Sequence, residues 1–319
     1  MKILGIETSC DETSAAVVED GRRILSNVVT SSLKEHKKFG GVIPEIASRR
    51  QLECIQRIVD EALQEAGAQV KDIDTIAVTQ SPGLIGSLLV GISFARALSY
   101  TLKKPFIPID HVKAHLYANF LTFSNNGFKQ PRLPAIGLVV SGGHTNLFYI
   151  KNFKNIKLIG STRDDAAGEA FDKVARILRL GYPGGPQIDT LAQQAKKTHL
   201  QFTCAELPDT LDFSFSGIKT AVLYHTRKHQ NDPGYCVKDV AFAFQNSIVS
   251  VLIKKSLAAC RRYKTKTLLV GGGVAANSQL RSQLTQEAQR EGIDCFIPPL
   301  ALCLDNAAMV AGLAYQERK

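Results

Sequence analysis

The hydrophobic positions in the first part of the chain follow a strand period and then a helical one. Three short apolar runs have the period of two that is typical of strands, and they span residues 2–7, 15–19 and 24–30. Asp20-Gly21, in the second turn between them, is a hairpin signal. The elements predicted next are a helix at residues 45–66, a strand at 73–79, a helix at 86–102 and a strand at 106–109. The pattern predicts a three-strand meander followed by alternating helices and strands.

The same order of elements restarts after residue 133. Strand patterns occupy residues 134–140, 146–150, 156–161, 267–270 and 295–297, and helical patterns occupy 168–179, 239–262, 277–291 and two stretches that begin at Asp189 and Asp305. Residues from about 198 to 235 are polar and irregular, which indicates an insertion. The repeat predicts a duplicated α/β fold. We expect two actin-like domains of the ribonuclease-H type, residues 1–132 and 133–319, with a cleft between them.

The composition indicates what kind of partner the protein binds and in which compartment it works. The chain has 39 basic and 29 acidic residues, a formal net charge of +10, which favours a polyanionic partner. Its seven cysteines are scattered without a Cys-x-x-Cys pair, so neither a disulfide framework nor a zinc ribbon is indicated. No uninterrupted apolar run approaches the roughly 20 residues that span a bilayer, and the apolar start of the chain is too short for a signal peptide. We therefore expect a cytoplasmic protein that does not enter a membrane.

A histidine pair, His111 and His115, follows the strand predicted at residues 106–109. If this run is helical, the spacing of four places both imidazoles on one face, the geometry of a two-histidine metal half-site. Asp305, just after another short strand, could supply a third ligand. Two polar residues in a surface helix are the alternative, although open α/β sheets place their ligands at such strand ends. A metalloprotease is excluded because Val112 occupies the position of its general base, so the metal would bind and polarise a ligand.

Three glycine-rich turns indicate a nucleotide site. Residues 141–145, Ser-Gly-Gly-His-Thr, offer backbone N–H groups to an anionic or carbonyl oxygen, and residues 271–277 lie between a strand and a helix N-terminus. Gly184-Gly185 is the third. Each turn alone is weak evidence for a nucleotide site, because a plain hairpin can have the same glycines. The spacing of a Rossmann motif and the lysine of a P-loop are both missing. Three such turns in a duplicated fold favour a nucleotide in the cleft.

Two polar segments suit the same ligand. Residues 164–172 cluster four acids around a helix start, where Asp165 is predicted to cap the helix and Glu169 to lie in its first turn. Asp172, one turn further along, is the carboxylate that could accept a ribose hydroxyl. Residues 213–219, Phe-Ser-Phe-Ser-Gly-Ile-Lys, suit contact with a base or phosphate, and a buried aromatic anchor is an equal alternative.

Eight motifs, in this order along the chain, together resemble one family. They are residues 5–13 (GIETSCDET), 111–115 (HVKAH), 140–144 (VSGGH), 165–172 (DAAGEAFD), 182–185 (YPGG), 212–219 (DFSFSGIK), 271–277 (GGGVAAN) and 305–306 (DN). The set resembles the tRNA adenosine threonylcarbamoyltransferase family, TsaD. The first motif resembles the bacterial and organellar branch of that family.

The resemblance implies transfer of a threonylcarbamoyl group from threonylcarbamoyl-AMP to the N6 amine of the adenosine beside the tRNA anticodon, with release of AMP. It implies one divalent metal per subunit, iron in preference to zinc, held by His111, His115 and Asp305. The residues that it implies for adenylate binding are Val139, Val140, Ser141, Gly142, Gly143, His144, Asp172, Gly185, Asp189 and Asn277. It also implies a TsaB-like paralogue and a TsaE-like ATPase as partners, after a TsaC-like synthase has made the adenylate.

The turn after the first strand supplies the candidate base. The duplicated pattern places this turn opposite residues 141–145, so the carboxylate of Asp11 could accept the proton of the attacking amine. Glu12 is the second candidate, and a role for Asp11 in capping the turn is the alternative. Two other functions stay open on the residues alone: a small-molecule kinase of the same fold, and a non-catalytic scaffold that binds nucleotide and holds partners.

Overall fold

The chain folds into two compact units in a computed structural model that describes residues 1–124, 127–195 and 198–318. The first unit contains Met1–Pro131 and Pro298–Lys319, and the second contains Arg132–Ile297. Each unit holds one five-stranded sheet with helices against it. The C-terminal segment thus joins the first unit, although the sequence pattern assigned it to the second.

The sheet of the first unit is a meander extended by two parallel strands. Its order is β3-β2-β1-β4-β5, and its strands are β1 Lys2–Glu7, β2 Glu12–Glu19, β3 Arg23–Ser31, β4 Thr75–Ser81 and β5 Phe106–Asp110. The first three pair antiparallel, whereas β4 and β5 run parallel to β1. The helices are α1 Leu33–Lys37, α2 Pro44–Glu65, α3 Ile85–Leu102, α4 His111–Tyr117 and α10 Ala307–Arg318. Leu4 and Ile6 form the core with Ile55 and Ile58 of α2, the face that the helical period predicts.

The second unit repeats this topology. Its sheet, read from one edge, has the order β8-β7-β6-β9-β10, with the same succession of antiparallel and parallel pairs. The strands are β6 Ala135–Val140, β7 Thr145–Asn152, β8 Asn155–Ser161, β9 Thr267–Gly271 and β10 Asp294–Phe296. The helices are α5 Ala167–Ile177, α6 Gly184–Gln193, α7 Ser216–His229, α8 Val237–Tyr263 and α9 Ser278–Arg290. The predicted duplicated α/β fold is confirmed.

Helix α10 lies directly on the first strand of the chain. Gly5, in β1, faces the helix, and a Cβ there would overlap the carbonyl oxygen of Ala307 and lie 2.8 Å from the backbone nitrogen of Ala311. The backbone N–H of Ala307 also donates a hydrogen bond to the hydroxyl of Ser14 at 2.9 Å. These contacts join residues about 300 positions apart, so no local pattern could have placed this helix.

We expect Gly5→Ala to lower the free energy of unfolding by about 1–3 kcal/mol, because the new methyl group must push the helix away from the sheet. Urea unfolding of the single variant measures this change. Gly41→Ala is the matched control, since a Cβ at Gly41 would meet no atom within 4 Å. Equal stability of the two variants would contradict the close approach of helix and strand.

Two helices of the second unit differ from what the sequence pattern predicted. Residues 198–235 were expected to be irregular, yet they contain α7, which buries Ile218 and Val222. Helix α6 begins at Gly184, five residues before the predicted start at Asp189, so the Gly-Gly pair forms its first turn. The proline that follows the pair does not break the helix, because the first N–H groups of a helix have no intrahelical acceptor.

One helix of the described chain, α3, is long and apolar enough to cross a membrane. By length and composition alone this is weak evidence, since core helices of other proteins pass the same test. The helix packs on α2 and β4, and its other side leaves Ile85 and Leu89 exposed. The exposed side of α3 therefore carries two large apolar side chains.

Candidate metal centre and nucleotide-binding cluster

Two histidines and an aspartate meet in the first unit. Helix α4 begins at His111, and Asp110 caps it by accepting the N–H of Lys113 at 2.9 Å. The run is therefore helical, as the histidine spacing required, and the two rings lie with their centroids 4.6 Å apart. Asp305 reaches the same point from the turn before α10. The structure thus brings His111, His115 and Asp305 together.

The donor atoms of these three side chains fit one metal ion. The Nε2 atom of His115 lies 3.1 Å from Oδ1 of Asp305, that of His111 lies 3.5 Å from the same oxygen, and the two nitrogens are 3.2 Å apart. Donors that lie about 2.0–2.2 Å from a metal are roughly 3.0–3.5 Å from one another in octahedral or tetrahedral sites. Buried nitrogen and oxygen donors at this spacing suit a divalent cation of the zinc or iron type.

The electrostatics of the group favour positive charge at its centre. Burial alone lowers the pKa of His111, but the carboxylates of Asp305 and Glu7 outweigh burial and raise this pKa to about 9. Both imidazoles are buried, so solvent screens these charges little. A cluster of this kind binds either protons or a metal cation, and the two compete for the same lone pairs.

The charge of Asp305 acts on Glu12, the first residue of β2. Burial first, and then the charges of Asp305 and Asp11, raise the pKa of Glu12 well above its usual value. Burial and the same acids raise the pKa of the Cys10 thiol, so this thiol is not a nucleophile at neutral pH. Burial and neighbouring negative charge thus favour the protonated form of Glu12.

In the second unit, two of the glycine-rich turns, residues 141–145 and 271–277, lie near the start of α5. The turn after β6 is closed by the N–H of Ser141, which donates to the carbonyl of His144 at 2.8 Å. Gly168 donates to the carbonyl of Ser141 at 3.1 Å, and a Cβ on Gly168 would lie 2.6 Å from this oxygen. Gly272, with a φ of +93°, lies against Val140, and a Cβ there would be 3.1 Å from the Val140 nitrogen. Only glycine allows these approaches.

Three other glycines of the glycine-rich turns face open space. A Cβ on Gly142, Gly143 or Gly185 would meet no atom of the described chain within 4 Å beyond its immediate neighbours. The backbone at these positions is therefore accessible to a ligand. N–H groups of successive turn residues are a common cradle for phosphate and carbonyl oxygens.

Asp172 has a structural partner that the sequence did not reveal. Its Oδ1 accepts the N–H of Gly184 at 2.7 Å, which holds the first turn of α6 against α5. Of the two acids predicted to be structural, Glu169 accepts a backbone N–H at the helix start at 3.4 Å. Asp165 is not the cap, and it pairs instead with Lys173 at 2.6 Å. The prediction that Asp165 caps the helix is therefore wrong, and Asp172, which was not expected to support the fold, does so.

We expect Asp172→Ala to weaken adenylate binding and to lower the free energy of unfolding by about 1–3 kcal/mol, because the buried N–H of Gly184 loses its acceptor. Asp172→Asn separates the two effects, since its amide oxygen can still accept this hydrogen bond. The Asn variant should melt like the parent and bind AMP more weakly. Calorimetric titration and thermal melting measure both quantities, and parental AMP affinity in the Asn variant would remove Asp172 from the adenylate site.

Asp189 and Asn277 are joined through Gln245, which the sequence analysis did not single out. The buried Gln245 side chain donates to Asp189 Oδ1 at 3.0 Å and accepts from Asn277 Nδ2 at 2.8 Å. Asp189 also accepts the N–H and the hydroxyl of Ser278, and Asn277 caps α9 by accepting the N–H of Leu280 at 2.9 Å. Both predicted binding residues therefore order the start of α9. The sequence could have revealed Gln245, because it is a polar residue on an otherwise apolar face of α8.

Residues 213–219 are anchored by their aromatic rings. Phe213 and Phe215 are buried and stacked, with centroids 5.9 Å apart, so the aromatic anchor is the alternative that the structure shows. Asp164 accepts four hydrogen bonds of 2.6–3.2 Å from residues 214–216. Burial alone would raise the pKa of Asp164, but these bonds outweigh it and lower the pKa. The carboxylate thereby fixes the start of α7.

The topology of both units defines the class of protein. Component A of the (R)-2-hydroxyglutaryl-CoA dehydratase of Acidaminococcus fermentans matches with a TM-score of 0.58 and 16% identity over 99% of this chain and 98% of its own. HypF of T. kodakarensis matches with a TM-score of 0.64 and 12% identity over 99% of this chain and 48% of its own. At such identities only the fold is shared. It is the actin-like (ASKHA) fold, made of two ribonuclease-H-type units.

Sequence comparison identifies the family within this class. The model of the TsaD family, described as tRNA N6-adenosine threonylcarbamoyltransferase, matches residues 23–312. A curated relative of that name from Caldicellulosiruptor bescii is 50% identical over 99% of this chain and 92% of its own length. The chain belongs to the TsaD family of tRNA N6-adenosine threonylcarbamoyltransferases. The resemblance carried by the eight motifs is confirmed, and the enzyme is a transferase.

Proposed function

We propose that this chain transfers the threonylcarbamoyl group from threonylcarbamoyl-AMP to the N6 amine of the adenosine on the 3′ side of the tRNA anticodon. The bond from the carbamoyl carbon to the adenylate oxygen breaks, the bond to N6 forms, and AMP leaves. The observation that carries the proposal is the cluster of His111, His115 and Asp305, whose carboxylate raises the pKa of the nearby Glu12, in a TsaD-family chain. The net charge of +10 suits a tRNA substrate.

The second unit would bind the adenylate. Open backbone at Gly142 and Gly143 suits a phosphate or carbonyl oxygen, and preorganised N–H groups stabilise the charge that develops on these oxygens during acyl transfer. The carboxylates of Asp172 and Asp189 and the amide of Asn277, which order the starts of α6 and α9, could hydrogen-bond the ribose and the base. The proposed adenylate-binding residues are Val139, Val140, Ser141, Gly142, Gly143, His144, Asp172, Gly185, Asp189 and Asn277.

The first unit would hold one divalent metal through His111, His115 and Asp305. Two imidazoles and one carboxylate are the donor set of non-haem iron(II) sites that keep open positions, so we propose iron(II) in preference to zinc(II). When bound, the metal supplies a Lewis acid for an oxygen of the adenylate substrate. Elemental analysis of protein purified without oxygen distinguishes the two metals.

Asp11 would take the proton that leaves the attacking amine. An aryl-type amine is a poor nucleophile while it keeps this proton, so a carboxylate within reach lowers the barrier. Burial and the charges of Asp305 and Asp11 raise the pKa of the neighbouring Glu12, which favours its protonated form. The pair would pass the proton on as AMP departs.

We propose that a TsaB-like paralogue and a TsaE-like ATPase act with this chain in the cytoplasm. All seven cysteines are free, which suits a reducing compartment. Leu52 of α2 and Ile85 and Leu89 of α3 are 57–79% exposed and form the candidate contact for the paralogue. Leu89→Glu should abolish co-purification with the paralogue and leave the melting temperature unchanged. Binding to lipid vesicles by the parent alone would assign this surface to a membrane instead.

Reconstitution with tRNA, threonine, bicarbonate, ATP and the synthase, with and without the two partner proteins, tests the proposed function. We expect threonylcarbamoylated tRNA and one AMP released from the adenylate for each group transferred. In the reaction without the ATPase, a kinase of the same fold would release ADP without modifying tRNA, and a scaffold would transfer no threonylcarbamoyl group from the adenylate. Family membership favours the transferase over both alternatives.

A further inference from the structure

A second carboxylate lies behind the metal ligands, at the end of β1. Glu7 is fully buried, and every neighbour in hydrogen-bond contact with it is a donor or a histidine. Its Oε1 accepts the N–H of Ser9 at 2.6 Å, and its Oε2 accepts the hydroxyl of Thr79 at 2.5 Å. The same Oε2 lies 3.1 Å from Nδ1 of His111. A buried carboxylate is tolerated only with such a full set of donors.

We propose that Glu7 is a positioning residue for the metal, because it holds the proton of His111 on Nδ1 and leaves the Nε2 lone pair facing Asp305 and His115. The inference rests on the proposed metal site. A carboxylate oxygen can only accept, so the ring nitrogen that faces Glu7 must donate. The opposite nitrogen, which lies 3.2–3.5 Å from the other two ligands, is then the one that can bind a metal.

Ser9 is the other neighbour of this ring nitrogen, with its hydroxyl 3.2 Å from Nδ1 of His111. A hydroxyl can donate or accept, so Ser9 is compatible with either tautomer and does not select one. His115 differs from His111, because its buried Nδ1 has no hydrogen-bond partner among the described residues. Glu7 therefore orients one of the two imidazoles and sets the geometry that the second must match.

Glu7→Gln tests the inference without changing the shape of the side chain. The N–H of Ser9 can only donate, so the amide oxygen should stay at Ser9 and place the NH2 group against His111 and Thr79. The hydroxyl of Thr79 can rotate to accept from this group, but Nδ1 of His111 can accept only by giving up its own proton. The imidazole proton would then move to Nε2 and block the metal.

We expect Glu7→Gln to weaken Zn(II) binding by about 10- to 100-fold, measured by competition with a chelator. In the Zn(II)-loaded parent, histidine-selective 15N NMR should show His111 protonated at Nδ1, and Glu7→Gln should lose this signal. Thr79→Val is the matched control, since it removes one donor to the same carboxylate and leaves the contact with His111. It should keep both the Zn(II) affinity and the NMR signal of the parent.

Parental Zn(II) affinity in a Glu7→Gln variant with a normal melting temperature would overturn the inference, as would a parent that binds no Zn(II). Should Glu7→Gln fold poorly, Glu7→Asp serves instead, because the shortened carboxylate withdraws from His111 and should lower the Zn(II) affinity. Neither measurement uses tRNA or adenylate. A parent that binds Zn(II) but modifies no tRNA would therefore contradict the proposed function and leave the role of Glu7 standing.

Discussion

Asp11→Asn is expected to slow threonylcarbamoyl transfer by about 100- to 10,000-fold at saturating adenylate, the usual contribution of a general base. The substitution keeps the size of the side chain and removes the basic oxygen. Affinity for the adenylate should stay close to the parental value, because the proposed adenylate-binding residues lie in the second unit. Single-turnover transfer to tRNA with preloaded adenylate measures the rate, and calorimetry measures the affinity.

Asp20→Asn is the control for this substitution. Asp20 belongs to the same unit, but its carboxylate is exposed and pairs with the chain's N-terminus at 2.8 Å, so its loss should leave the rate unchanged. A parental transfer rate in Asp11→Asn would show that Asp11 is not the general base and only supports the turn. The proton would then have to go to Glu12 or to the phosphate of the substrate, and Glu12→Gln would decide between these two.

Replacing both histidines, His111→Ala with His115→Ala, is expected to remove the metal, leaving less than about 0.1 equivalent per chain, because a single carboxylate cannot hold a borderline divalent ion. Each single substitution should already lower the metal content strongly, since two remaining ligands rarely suffice. Transfer activity should fall with the metal content. Elemental analysis after gel filtration gives the metal-to-protein ratio, and melting curves show whether the fold persists.

The chain contains a matched control for this experiment. His225 and His229 have the same spacing of four on α7, with ring centroids 4.7 Å apart, but they do not belong to the three-ligand group found among the described residues. His225→Ala with His229→Ala should therefore keep the full metal content. Full metal content in the His111 and His115 double variant would instead show that the ion, if present, binds elsewhere.

Local sequence features were sufficient for part of the candidate site. The pair His111 and His115 was predictable because α4 begins after a strand and a helical spacing of four fixes which side chains share a face. The glycine-rich turns were predictable because their residues allow backbone that others cannot adopt. Glu7 was missed, although a charged residue at the end of an apolar strand was a usable signal. Gln245 was missed because a single polar residue on a long helix has many structural explanations.

The amino-acid sequence by itself determined the duplicated order of strands and helices, the family and the candidate metal ligands, because periodicity and motif spacing are properties of neighbouring residues. Only the tertiary structure decided that α10 lies on β1 at Gly5, that Asp172 holds the start of α6, and that Glu7 stands behind His111. Each of these contacts joins different elements, and the residues in contact are from 12 to about 300 positions apart in the chain. They depend on which surfaces exclude water together and on which buried donor finds which acceptor, and both are settled only when the whole core forms.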